Sequence, residues 1–260
     1  MIKKSNRSGL ILLVLILGLL GGCTPKAYTV MTYNIHAGVG MDGVLDLERI
    51  ARVIRDSDAD MAVLHEVDKG TRRSFKVDQA DSLGTLLGME SRFGRSIDHD
   101  GGEYGNALVS KYPILNFTVH ELETEYGFED RTVFEAQILV ASDTLSLLGT
   151  HLGLDTLARI DQINGILEVL PLTPKLVLGG DFNFEADSEP YKIITGKLHD
   201  SILERDLNPS NSFPADEPNR RIDYIFVGPG IETDHSPIKE SNLILVASDH
   251  RPQVLKFRIK

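Results

Sequence analysis

Asp181 and Asn183 stand two residues apart in the stretch Leu178-Gly179-Gly180-Asp181-Phe182-Asn183-Phe184. On extended backbone, side chains at that spacing point the same way. A carboxylate and an amide at one spot can hold an attacking water and a phosphate oxygen together. Gly, Asp and Asn are also ordinary turn formers, so the stretch alone supports a site or a bend, and its partners must decide. Asn34, Glu66, Asn106, His151, Asp223, Asp249 and His250 all accompany apolar segments that read as strands. Strand ends on one edge of a sheet are where α/β proteins build sites. Taken singly, His151 reads as a satisfied loop histidine, Glu66 as a solvated charge and Asn34 as a turn former. Their repetition at strand ends points to a site. Together they supply what in-line hydrolysis of a phosphoester needs: an activated water, stabilised phosphoryl charge and help for the leaving oxygen. Either Asp181 or His250 would take the proton of the water, and the sequence leaves that choice open.

The elements that must position these residues follow from periodicity and punctuation. Tyr28 to Ile35 has strand composition, followed by a loop at 37–40. Asp46 predicts a helix N-cap, with Leu47, Ile50 and Ile54 on one face, a Glu48/Arg52 pair, and an end near Arg55. Asp60 to Leu64 reads as a short strand with His65-Glu66-Val67-Asp68 at its end, and 68–78 as a polar loop. Gln79 to Leu87 reads as a helix stopped by Gly88. Strands are expected at 90–97, 104–110, 115–122, 132–140 and 144–150, with short turns that indicate antiparallel hairpins. His151 ends the last of these. A helix then follows from Leu154 to Leu170, closed by Pro171 and Pro174. Lys175 to Leu178 reads as a strand running into Gly179 and Gly180. Asp187 or Ser188 caps a short helix with Pro190 in its first turn. Residues 199–219 read as a long loop over the site, Arg221 to Val227, Leu243 to Ala247 and Val254 to Ile259 as strands, and Ser248-Asp249-His250 as a loop. Strand, helix, strand with polar residues at the strand ends is an α/β signature.

At 260 residues, 42% hydrophobic and 25% charged, the composition is that of a globular chain with room for a large core. With no internal repeat or long linker, one domain is expected. Residues 1–22 differ: Lys3, Lys4 and Arg7 precede the apolar run Leu10 to Leu20, then Gly21, Gly22 and Cys23. That is the pattern of a secretory signal, and it is too short for a comfortable membrane span. Leu20-Gly21-Gly22-Cys23 resembles the bacterial lipobox, whose cysteine becomes lipid-modified. The expectation is an exported protein, lipid-anchored through Cys23 to the cell envelope, with residues 23–27 as tether and 28–260 as catalytic body. Cys23 is the single cysteine, so no intramolecular disulfide can form. Removing Lys3, Lys4 and Arg7 takes the formal net charge from −11 to −14. That disfavours tight non-specific binding to a polyanion, which depends on many Lys and Arg contacts.

The segments MTYNIHAG (31–38), LHEVD (64–68), YGNALVSKYP (104–113), GTHLG (149–153), GGDFNFEADSEP (179–190), RRIDYIFV (220–227) and SDHRP (248–252) resemble, in order, the motifs of the endonuclease/exonuclease/phosphatase superfamily of phosphoesterases. The resemblance spans residues 28 to 260. It implies an α/β fold (α+β by some schemes): a four-layer sandwich of two mainly antiparallel β-sheets with helices on the outer faces. It implies Mg²⁺ or Mn²⁺ as cofactor, with Glu66 as principal ligand and Asn34 and Asp249 beside it, an oxygen set that suits either ion. It also implies that Asp181 and Asn183 hold the water and a phosphate oxygen, that Asp223 orients His250, and that His151 donates to the phosphate. Tyr104 and Arg131 match positions that reach the phosphate.

Departures from the pattern narrow the substrate. NRRIDYIF lacks the tryptophan-cysteine-aspartate-arginine signature of inositol 5-phosphatases, there is no Trp, and Asn106 stands where DNase I-like members hold an acid. The phrase NIHAGVGMDGVLDLERIARVI also resembles the nuclease-like domain of eukaryotic proteins that remodel GPI-anchor lipids. The leading expectation is a monomeric metal-dependent phosphoesterase acting on a phosphodiester or phosphomonoester, with a lipid- or sugar-linked phosphate favoured over nucleic acid. The rivals are a secreted Mg²⁺-dependent nuclease and a non-catalytic surface binding module.

Overall fold

The computed structural model describes residues 26–124, 127–202, 211–234 and 241–260. The expected signal segment and Cys23 lie outside them, as do 203–210 of the expected long loop. Two six-stranded sheets are formed. The first runs β11 (Ile231–Asp234), β12 (Gln253–Ile259), β1 (Tyr28–Asn34), β2 (Met61–Lys69), β4 (Gly102–Ser110), β3 (Glu90–His99). The second runs β5 (Ile114–Leu122), β6 (Arg131–Val140), β7 (Asp143–His151), β8 (Leu176–Asp181), β10 (Asp223–Val227), β9 (His199–Asp200). Each sheet is mixed, with one parallel pair, β1/β2 and β7/β8, and antiparallel pairs elsewhere. Parallel neighbours need a crossover connection. Helix α1 (Leu47–Asp56) supplies it in the first sheet and α3 (Thr156–Val169) in the second; α2 (Gln79–Leu87) and α4 (Glu189–Thr195) complete the outer layers.

The central strands are apolar on both faces because both faces are covered. Met61 and Val63 of β2 meet Phe134, Leu147 and Val177 of the facing sheet in the core between the sheets. Ala62 and Leu64 face outward against Ile50, Ile54 and Leu83 of α1 and α2. Leu148 and Leu178 pack outward against Ile163, Ile166 and Ile194 of α3 and α4. Each helix start is specified locally. Asp46, Asp78, Asp155 and Ser188 accept hydrogen bonds from the first-turn amides of α1 to α4, satisfying donors that have no helical partner. Gly88, at φ 65°, ends α2 as expected.

The four-layer sandwich expected from the resemblance is therefore present, with several local corrections. Strand β2 does not stop at Leu64 but continues to Lys69 through a register shift, because the alternate partner β4 follows it. Strand β8 passes through Gly179 and Gly180, paired on both sides, and ends at Asp181. Residues 243–247 hold no strand: Asn242–Leu245 is a 3-10 helix capped by Ser241. The short strands β9 and β11 lie in segments too polar or brief to signal themselves. Asp223, not Arg221, begins β10. Glu48 approaches Arg55, at 3.5 Å, in place of Arg52.

Gly149 and Gly179 are register partners on β7 and β8. They are needed for close approach, not for bending. A Cβ on Gly149 would lie 2.4 Å from the Phe134 ring and 2.5 Å from Val63 of the opposite sheet. One on Gly179 would lie 3.1 Å from Thr32. This pair lets the sheets meet closely beneath the polar strand ends. Gly149→Ala is expected to destabilise the fold by about 1–3 kcal/mol through overpacking, read as a lowered urea midpoint with unchanged slope. An unchanged midpoint would show that the sheets do not need this contact.

Candidate active site

The strand polarities put the polar residues at one pole. β1, β7 and β8 end there, and the antiparallel β10 and the loop before β12 enter there. His151, Asp181 and Asp223 are register partners on three adjacent strands, so their side chains share a face. Asp223 begins β10 and accepts from His250 Nδ1 at 2.8 Å. His250 Nε2 lies 3.7 Å from Asp181 Oδ2, and His151 Nε2 lies 3.6 Å from the same oxygen. Asp181 is thus a buried carboxylate faced by two imidazoles.

Asn34 ties the first sheet to this row. Its amide nitrogen donates to Glu66 Oε1 at 3.1 Å and to Asp181 Oδ2 at 3.0 Å. Its oxygen accepts from the His36 N–H at 3.0 Å. In this orientation Asn34 steers both carboxylates, and a ligand role would use its oxygen turned towards the ion. Glu66 does not stand at a strand end. It occupies the β2 irregularity with φ 57°. Asp249 stays in the loop, 3.9 Å from His36 Nδ1, and Ser248 Oγ pins that loop to the Asn34 carbonyl at 2.7 Å.

Asn183 is not the extended neighbour the spacing implied: its φ is 53°. Its N–H donates to Asp181 Oδ1 at 3.1 Å, and its amide nitrogen lies 2.9 Å from the Leu152 carbonyl and 3.1 Å from His151 Nε2. On its other side, His151 Nδ1 lies 3.5 Å from both the Tyr104 hydroxyl and Arg131 Nη1. Tyr104 and Arg131 therefore join the site. Asn106 does not: it lies in mid-strand and bonds His65.

The charges follow from burial and neighbours. Burial, then the Asp223 charge, raises the Asp181 carboxyl above its ordinary range. Burial opposes charge on His250, but the Asp223 charge and hydrogen bond, aided by Asp181, outweigh it and lift the imidazole to about 10. Burial and the Arg131 charge push His151 well down, so it is neutral. Burial and the Glu66 charge raise Tyr104, keeping its hydroxyl a donor.

A cavity of about 440 Å³ opens over Glu66, His151, Asp181, Asn183 and His250. Its size is that of a small-ligand pocket. Its lining mixes polar side chains, Arg73, His99, Tyr104, Glu129, Arg131 and Arg220, with the apolar Ile97, Leu154, Phe213 and Ile222. Sequence reasoning missed Arg73 inside a polar loop, and missed Phe213 because its role depends on packing 4.9 Å from the His250 ring. Arg73 had one legible cue: the buried Asp68 of LHEVD, which it grips through Nε and Nη2, both at 2.7 Å.

The donor set fits a divalent cation. Glu66 and Asp249 offer carboxylates, and Asn34 an amide. Asp181, Asp223 and His250 also bring one ligand atom each within 4.8 Å of one another. Asp223 Oδ1 is buried with no hydrogen-bond partner among the described residues, an uncompensated acceptor in a site rich in negative charge.

Residues 31–250 match the Endonuclease/Exonuclease/phosphatase family. The uncharacterized protein YbhP of Escherichia coli is 25% identical over 217 residues, covering 77% of this chain and 85% of its own. An endonuclease/exonuclease/phosphatase structure from Beutenbergia cavernae superposes with a TM-score of 0.71 at 25% identity, covering 90% of this chain and 72% of that one. The mannosyl-6-phosphatase Bt3783 of Bacteroides thetaiotaomicron shares the fold, with a TM-score of 0.67 at 20% identity and coverage of 90% and 99%. With the match running from before Asn34 to His250, the chain belongs to the Endonuclease/Exonuclease/phosphatase family.

Proposed function

We propose that this protein is a divalent-cation-dependent hydrolase of a phosphodiester or phosphomonoester whose alcohol part is compact and hydroxyl-bearing, as in a sugar-linked phosphate. The observation that carries the reading is Asp181, a buried carboxylate at the cavity floor with an imidazole on either side at 3.6 and 3.7 Å. A Mg²⁺ or Mn²⁺ ion held by Glu66, Asn34 and Asp249 would supply charge against the phosphoryl and leaving oxygens. Asp181, with its raised pKa, takes the proton of the attacking water. Asp223 keeps His250 protonated, and that charge faces the phosphoryl group as negative charge builds there. The Tyr104 hydroxyl and Arg131 are the donors on the His151 side. His151, neutral, holds Asn183 in place.

The rim of the cavity supports the substrate class. Arg73 is paired with Asp68, Arg131 with Glu129 at 2.9 Å, and Arg220 with Glu185 at 3.1 Å. Charge-compensated pairs present donors and acceptors together, which suits hydroxyl groups. They add little net positive potential for a second or third phosphate, which a nucleic acid would require.

Export and anchoring through Cys23 belong to the same reading. Among the described residues no helix is long and apolar enough to cross a membrane. Tyr28 opens β1 at the pole opposite Asn34, about 20 Å away at the rise of a strand. A tether from Cys23 to Tyr28 reaches at most about 17 Å. That geometry favours a substrate arriving from the aqueous phase over a lipid of the anchoring bilayer.

Hydrolysis of bis(p-nitrophenyl) phosphate is expected with Mg²⁺ or Mn²⁺ and abolished by EDTA. Asp181→Asn, His250→Gln and Glu66→Gln should each lower turnover about a hundredfold or more. Wild-type rates in any one would remove that residue from the chemistry; no turnover with either metal on any ester would favour a binding module. On a panel of sugar phosphates, inositol phosphates, phospholipids and plasmid DNA, kcat/KM should be highest for sugar phosphates. Preferential degradation of DNA would establish the nuclease reading instead. Cys23→Ser should release the protein from membranes without changing its activity, and a mutant still membrane-bound would assign retention to the apolar segment.

A further inference from the structure

Glu66 reaches the site only because β2 carries one extra residue, and the residue opposite that insertion is Asn106. Leu64 pairs with Ala107 and Val67 with Gly105, so His65 and Glu66 together face the single residue Asn106. Two residues opposing one make a β-bulge, which leaves the extra residue unpaired and re-aims its side chain. Glu66 is that residue, and its positive φ is a conformation that residues with side chains rarely adopt. Something in its surroundings must hold it.

The group placed to do so is His65. It is fully buried, and both ring nitrogens are engaged. Nδ1 lies 3.1 Å from Asn106 Oδ1, an acceptor, so Nδ1 carries the proton. Nε2 then accepts from Thr32 Oγ1 at 2.7 Å. Asn106 Nδ2 reaches the Thr132 carbonyl at 3.5 Å in the facing sheet, and Thr150 Oγ1 donates to that same carbonyl at 3.0 Å, one residue before His151. The bonds run from β1 through β2 and β4 into β6 and β7, and none of these five residues lines the cavity.

We propose that His65 is a positioning residue: locked between Thr32 and Asn106, it fixes the bulge that aims Glu66 at the cation and seats His151 against the opposite sheet. The proposal rests on the metal-dependent reading above. His65→Ala removes both bonds. His65→Gln keeps an amide donor for Asn106 and an oxygen for Thr32. Thr32→Val removes one hydroxyl at nearly constant volume.

Mn²⁺ binding to the full chain is measured by calorimetry without substrate, alongside kcat, KM and the thermal midpoint. His65→Ala should bind Mn²⁺ about ten- to a hundredfold more weakly, the range for loss of a group that orients a ligand. Its kcat should fall while KM changes little. His65→Gln should restore most of the Mn²⁺ affinity. Thr32→Val, the test that stands if His65→Ala fails to fold, should weaken binding about three- to tenfold, as for one lost hydrogen bond. A folded His65→Ala or Thr32→Val protein with wild-type Mn²⁺ binding and turnover overturns the proposal alone. A wild-type chain that neither binds Mn²⁺ nor hydrolyses any ester overturns the metal-dependent reading with it.

Discussion

The amide of Asn34 donates one proton to Glu66 in its own sheet and the other to Asp181 in the facing sheet. Every other contact of the site is arranged around that bridge. The two acceptors belong to separate β-α-β units, so the bond exists only where the sheets close to within side-chain contact. Gly149 and Gly179 permit that closure by leaving room for Phe134, Val63 and Thr32. The core between the sheets, from Met61 and Val63 across to Leu147 and Val177, supplies the apolar burial that drives it. Stability and site geometry therefore rest on the same packing.

The site also concentrates charge that the fold itself would not favour. Burying an ion costs several kcal/mol even after relaxation, and Asp181, Asp223 and His250 are all buried. His250 compensates Asp223, while Asp181 is left with hydrogen bonds from Asn34 and the Asn183 N–H. Asp223 Oδ1 has no donor among the described residues. An excess of buried carboxylate of this kind is characteristic of functional sites, and a divalent cation is the group that would offset it. The same imbalance separates the two histidines: one is held charged by a carboxylate, the other neutral by burial and Arg131.

Around this floor the cavity wall is built from compensated pairs. Asp68 is fully buried beneath Arg73, whose guanidinium lies over the Tyr104 ring at 5.7 Å. The bidentate pairing with Asp68 holds the guanidinium rigid and offsets its charge. Phe213 and Leu154 add apolar contact to the same lining.

Much of this was legible in the chain. Strand and helix periodicities located most elements, the N-cap Asp46 marked its helix to the residue, and the ordered motifs identified the family, because residue type and short-range spacing are local properties. Other features were not legible, and each depends on a partner distant in sequence. Asp181 and Asn183 looked like an extended pair, but Asn183 turns back to meet Leu152 and His151. The tandem glycines read as the end of a strand and a bend, and are paired strand residues. His65 looked like a strand-end residue and is a strut, visible only once Thr32 and Asn106 stand on either side of it. The sequence by itself determined which polar residues accompany the strands and which elements carry them. Only the tertiary structure decided their protonation, their orientation and the shape of the pocket, because burial, field and register come from segments that meet only after the two sheets have packed.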